Sequence, residues 1–142
     1  MAFIRRSAKG SGGAKRKDHG IYRSGFEQSF AKKLEDNNLT AVYEADNISF
    51  IQPAMDRKYR PDWKIREGVY IEQKGRFTGA DRKKMLWFRD SNPEIKVYML
   101  FMKASVTLSK ASKTTFGDWC DKNNIEWADI KDQVTWKGWF NE

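Results

Sequence analysis

The chain of 142 residues carries 27 Lys and Arg against 19 Asp and Glu, a net charge of +8, with a pI near 9.6 and a mean hydropathy of −0.80; its length suits one domain. Six Trp, five Tyr and nine Phe suffice for a core and argue against wholesale disorder. The longest apolar run, residues 97–102, falls far short of the roughly 20 residues that cross a bilayer. One cysteine, Cys120, and one histidine, His19, exclude an intramolecular disulfide and a Cys/His zinc cluster.

Residues 1–20 concentrate the charge. Arg5, Arg6, Lys9, Lys15, Arg16 and Lys17 meet one acid, Asp18, among Gly10, Gly12, Gly13 and Gly20. With little to bury, this stretch reads as a flexible basic arm suited to a polyanion; a solubilising tail or an Arg-rich transit peptide shares the composition. Residues 21–142 read as a mixed α/β domain without repeats. Ser24 and Glu27 match a capping box, and Phe26, Phe30 and Leu34 recur at helical spacing up to Asn37 and Asn38. Residues 42–43 and 48–51 read as two short strands or one bent one, stopped by Pro53. Residues 62–64 and 68–74 suggest a hairpin turning through 66–68. Thr78 with Asp81 can cap a second helix through Phe88 that ends before Pro93. The nearly continuous apolar stretch 95–103 predicts a central strand covered on both faces. Thr115 with Asp118 opens a third helix through Phe116, Trp119 and Cys120. The closing Trp127, Val134, Trp136, Trp139 and Phe140 are expected to wrap over the core.

The carboxylates point to chemistry. Nine residues separate Pro61-Asp62 from Glu72-Gln73-Lys74, and alternation along a strand puts Glu72 and Lys74 on one face. If the strand bearing Asp62 pairs alongside, two acids and an ammonium converge, the set that phosphodiester hydrolysis needs. Hard Mg²⁺, with Mn²⁺ as a substitute, takes oxygen ligands, here Asp62, Glu72 and the Gln73 carbonyl. Lys74 can orient the attacking water, help it lose a proton, or stabilise charge on phosphate. A Pro-Asp turn followed by an exposed strand with a Glu/Lys pair has the same pattern. Glu27 falls on the inward side of its helix, so it must reach a backbone N–H, as in a capping box, or face a cation. His19 reads as a solvated contact, Cys120 as core, and Lys83 and Lys84 as solvating the second helix.

Tyr22-Arg23-Ser24-Gly25-Phe26-Glu27, Ile51-Gln52-Pro53-Ala54, Tyr59-Arg60-Pro61-Asp62 and Ile71-Glu72-Gln73-Lys74-Gly75 together resemble phage endonuclease I. Asp81-Arg82-Lys83-Lys84 and Phe116-Gly117-Asp118-Trp119-Cys120 extend the resemblance over most of residues 22–130. It implies a Holliday-junction resolvase of the PD-(D/E)xK nuclease superfamily. The implied fold is α/β, a restriction-endonuclease-like mixed central sheet flanked by helices, in an intertwined, segment-swapped homodimer whose crossing segment is residues 48–54. Its domain would be residues 21–142, preceded by the arm. Glu27, Asp62, Glu72 and Lys74 would be catalytic, with Glu27 helping to hold a second metal and completing the partner's site. Arg23, Lys83, Lys84 and the six basic residues of the arm would meet branched DNA. No membrane or small-molecule cofactor is implied, and the cytoplasm of an infected host is the expected location. One position departs: where the family carries a further functional acid, this chain has Val42, with Glu44 two residues on and no catalytic role assigned to it. A related nuclease with another DNA substrate, or a non-catalytic basic DNA-binding protein, are the alternatives.

Overall fold

The computed structural model describes residues 19–52 and 55–141, Met55 by its backbone alone. The six basic residues of the arm and the Pro53-Ala54 connection lie outside the described residues. The elements run α1 Gly25–Asp36, β1 Val42–Tyr43, β2 Ile48–Gln52, β3 Met55–Tyr59, β4 Trp63–Arg66, β5 Val69–Lys74, α2 Gly79–Ser91, β6 Lys96–Phe101, α3 Phe116–Lys122, β7 Trp127–Asp129 and α4 Gln133–Gly138, closed by a 3₁₀ turn, Trp139–Asn141.

Five strands form a mixed central sheet in the order β1-β4-β5-β6-β7, and β2 and β3 form a separate pair. β4 and β5 are antiparallel, with a register shift between Lys64 and Arg66, and Gly68 takes the positive φ, +73°, that the turn between them requires. β5 to β6 and β6 to β7 are parallel neighbours, each reached through a helix, as parallel pairing demands. β6 is the central strand expected: Tyr98, Met99, Leu100 and Phe101 are all fully buried.

Alternation along the strands divides two apolar layers. Ile71, Tyr98 and Leu100 face Phe30 and Leu34 of α1 and Trp136 of α4. Met99 and Phe101 face Met85 and Phe88 of α2, Phe116 and Cys120 of α3, and Phe50 and Tyr59 of the β2–β3 pair. Thr78 and Thr115 each complete a reciprocal capping box, with Asp81 and Asp118, at the starts of α2 and α3. A Cβ on Gly117 would come within 2.5 Å of the Trp127 ring, so α3 meets β7 at a position that admits no side chain.

Three details differ from the sequence reading. β3 is a strand although Asp56, Arg57 and Lys58 are all exposed, because it pairs only with β2 and leaves its other edge unpaired in the sheet. Trp127 begins a sheet strand rather than a wrapping segment. Val134 is 87% exposed and packs on nothing, whereas Trp136 and Trp139 of the same segment are buried, Trp139 stacked on Tyr98 at 4.4 Å.

Candidate active site

The Arg60-Pro61-Asp62 segment leads from β3 into β4 and brings Asp62 beside the carboxyl-terminal half of β5. The Gln73 backbone N–H donates to Asp62 Oδ2 at 2.8 Å, and the Asp62 N–H points to Glu72 Oε2 at 3.3 Å. Glu72, buried on the α2 face, also accepts from the Tyr59 hydroxyl. Lys74, two residues on and on the same face, places Nζ 3.3 Å from Glu72 Oε1 and 3.5 Å from Asp81 Oδ1. The site thus lies at the carboxyl end of a parallel strand pair, where open α/β sheets leave a crevice for ligands.

Glu27 approaches from the opposite layer. Ser24 caps α1 by accepting from the Glu27 N–H at 3.1 Å, but the box is not reciprocal. The Glu27 carboxylate accepts instead from the Arg23 N–H at 2.9 Å and from the Tyr43 hydroxyl at 2.5 Å. α1 is held to β5 by the Gln73 side chain, which accepts from Trp63 Nε1 at 2.5 Å and donates to the Phe26 carbonyl at 3.3 Å. Glu27 therefore stands near Asp62 within one chain, close enough for its charge to act there.

The electrostatics set these groups apart. Burial, followed by the charges of Glu72 and Glu27, pushes the Asp62 carboxyl well above the ordinary carboxylate range. Burial also raises Glu72, although Lys74 and the Tyr59 hydroxyl oppose it. Burial pulls the Lys74 ammonium down, but Glu72, Asp81 and Asp62 together outweigh it and hold it above the usual lysine value. Lys74 thus stays a cation at neutral pH. Tyr59 and Tyr43 are raised, first by burial, and remain hydroxyl donors.

The donor set fits a hard divalent cation. The acidic groups of the site, Asp62 and Glu72, offer oxygen donors, and two crowded carboxylates resist shared ionisation unless a cation neutralises them. Among the described residues, no three Asp, Glu, His or Cys side chains form a ready-made metal cage. One or two carboxylates completed by water and phosphate oxygens is a usual arrangement for Mg²⁺.

Of the expected site residues, Glu27, Asp62, Glu72, Gln73 and Lys74 are gathered here. Lys83 is exposed on α2. Lys84 is half-buried over the Tyr59 ring, 4.5 Å from its centroid, and burial lowers its pKa; it forms a wall of the site rather than a solvated face. Tyr59, Tyr43 and Asp81 were not among the expected residues. A tyrosine closing the charged run 56–58, directly before Arg60-Pro61-Asp62, was the available signal for Tyr59.

The sequence profile of phage endonuclease I matches residues 8–142. The chain belongs to that family. It is 33% identical over 117 residues to Endonuclease I of Escherichia phage T7, covering 82% of this chain and 78% of the relative. It is 37% identical over 108 residues to Endodeoxyribonuclease 1 of Enterobacteria phage T3, covering 76% and 71%. A nuclease of the phage endonuclease I family accounts for the clustering of acids and a lysine at one end of the sheet. Among the described residues, no helix is long and apolar enough to cross a membrane.

Proposed function

We propose that this member of the phage endonuclease I family is a divalent-metal-dependent endodeoxyribonuclease of the PD-(D/E)xK type that resolves four-way and branched DNA by paired phosphodiester hydrolysis. The observation that carries this reading is the convergence of the Asp62 and Glu72 carboxylates with a protonated Lys74 at 3.3 Å from Glu72. Asp62, Glu72 and the Gln73 carbonyl would hold one Mg²⁺ or Mn²⁺, with Glu27 beside them for a second. Such an ion, when bound, lowers the pKa of water and draws charge from a phosphoryl oxygen. Lys74, being an ammonium, orients the water and stabilises charge growing on the phosphate; it does not take the proton. Tyr59 fixes the rotamer of Glu72, and Asp81 fixes that of Lys74.

Two symmetric cuts call for two sites related by a two-fold axis. We infer a segment-swapped homodimer with a restriction-endonuclease-like core, in which the segment around residues 48–54 crosses between subunits and carries Glu27 to the partner's Asp62. Support comes from the placement of α1 and β1 ahead of a two-strand hairpin outside the main sheet. β2 and β3 pack on α2 through Phe50 and Tyr59 against Phe88, with polar contacts from the Ile51 N–H to Ser91 Oγ and from Asn92 Nδ2 to the Ser49 carbonyl, both at 3.0 Å.

One gel tests the activity: branched and linear DNA, with Mg²⁺ and then with EDTA. Selective, EDTA-sensitive cutting of the branched substrate is expected. Lys74→Ala should lower cleavage by about 100-fold or more while leaving junction binding in EDTA nearly intact. Near-normal cleavage by that variant would remove Lys74 from the mechanism.

A further inference from the structure

We propose that Glu44 is a positioning residue that presents Arg23 and Arg60 as a two-pronged clamp for a DNA backbone phosphate next to the cleavage point. The inference rests on the reading of the site as a DNA nuclease. Glu44 follows β1 with a φ of +46°, a left-handed backbone that glutamate rarely adopts. Such a conformation persists where its surroundings over-determine it, and it clusters at functional sites. Here the surroundings are specific. The Glu44 N–H donates to the Asp62 carbonyl at 2.8 Å, which pins the strained residue to the catalytic loop. Its side chain is only 5% exposed, and each carboxylate oxygen meets a different guanidinium: Oε1 lies 2.9 Å from Arg23 Nε, and Oε2 lies 3.6 Å from Arg60 Nη2.

Both arginines are tied to the acids. The Arg23 N–H donates to Glu27, and only Pro61 separates Arg60 from Asp62. A guanidinium carries five N–H donors in a rigid fork, and the fork matches phosphate geometry. The Arg23 side chain is 63% exposed and that of Arg60 is 19% exposed, so one prong reaches outward and the other stays beside the acids. A buried acid near a phosphate path would by itself repel DNA. Its placement between two arginines reverses that effect by freezing their side chains in a receiving geometry, which lowers the ordering cost on binding.

The two roles differ in sign. If Glu44 acts only through its charge or only pins the fold, Glu44→Gln adds one positive charge, so junction binding stays equal or tightens and the salt slope stays equal or steepens. If Glu44 positions the clamp, the same variant binds more weakly, with a shallower slope. The full chain and its Glu44→Gln, Arg23→Ala and Arg60→Ala variants are titrated with a labelled four-way junction in EDTA across a salt series. The clamp predicts that each arginine variant weakens binding about tenfold and lowers the log–log slope by about 0.9. Glu44→Gln should weaken binding in the same direction, and adding Glu44→Gln to the Arg23→Ala/Arg60→Ala double variant should be no worse than that double variant alone. In Mg²⁺ turnover, Glu44→Gln should raise KM more than it lowers kcat. Equal or tighter binding by a folded Glu44→Gln overturns the proposal, as do unchanged slopes in both arginine variants. If Glu44→Gln does not fold, the two arginine slopes decide. Wild-type protein that binds but never cuts would sink the nuclease reading while leaving the slopes to judge the clamp.

Discussion

The site has two halves built on different principles. Asp62, Glu72 and Lys74 come from one continuous stretch, the approach to β4 and the end of β5, fixed by the β4–β5 pairing and by backbone N–H groups that donate to the two carboxylates. Glu27 comes from a helix that precedes the sheet, and side-chain contacts hold it there. Both halves use a tyrosine as donor to a buried acid, yet the outcome differs. The Asp62–Glu72 half keeps two carboxylates whose ionisation is opposed by burial and by each other. The Glu27 half gives its carboxylate two donors of its own, Tyr43 and the Arg23 N–H. The carboxylates whose ionisation is opposed therefore lie in the rigid half, with the charge of Glu27 adding to the opposition at Asp62. The Glu27 carboxylate has donors of its own.

Asp62→Asn breaks this contrast most strongly. Cleavage should fall by about 1,000-fold or more, because an anionic metal ligand is lost. The same change removes an ionised group that the fold disfavours, so the unfolding midpoint in EDTA should rise by roughly 2–4 °C. The sign follows from linkage. The folded pKa of Asp62 lies above its unfolded value, so the ionised acid costs stability above the folded pKa, and that cost vanishes as pH falls through it to the unfolded value. The gain from Asn should thus be largest at alkaline pH and fade in mild acid. Calorimetry of both proteins between pH 5 and 9 measures it. A variant less stable than wild type at every pH would mean that Asp62 supports the fold.

The portability of Glu27 is tested with chains refolded together. Homodimers of Glu27→Ala or of Asp62→Ala should be inactive. In a crossed mixed dimer one site inherits both lesions and the other none, so a co-purified, differently tagged pair should nick one strand of a junction. A verified mixed dimer that cuts nothing places each site within one chain.

The smallest effect separates the two tyrosines. Tyr59→Phe removes a donor that lowers the Glu72 pKa, so the acidic limb of the pH–rate profile should move to higher pH, with kcat down about tenfold. Tyr43→Phe removes a donor from Glu27 and none from Glu72, so the limb set by Glu72 should stay within experimental error. Equal shifts in both variants would erase the distinction between the halves.

The rigid half was the legible one. Period-two alternation places Glu72 with Lys74, and the expected hairpin between residues 62 and 74 brings Asp62 alongside. The inward phase of Glu27 was also readable, but its partners were not: Tyr43 lies 16 positions away, a contact no local pattern encodes. β3 escaped notice because Asp56, Arg57 and Lys58 lack the apolar alternation of a strand half-buried in a sheet. Lys84 read as a solvent-facing charge, since only the tertiary packing of Tyr59 beneath it reveals a desolvated lysine. Glu44 is the clearest case, because a positive φ on glutamate has no sequence signature.

The β2–β3 pairing has a consequence for how chain number governs output. Its register runs from Ile48 opposite Tyr59 to Gln52 opposite Met55, leaving two residues to make the connection. In the exchanged form proposed above, α1 would make the same contacts, but on a neighbour. The closed and exchanged forms then differ mainly at that short connection and in the entropy of bringing two chains together. On that proposal dilution would become a selector: scarce chains would close on themselves, abundant chains would pair, and only a pair would deliver both cuts in a single encounter with its substrate.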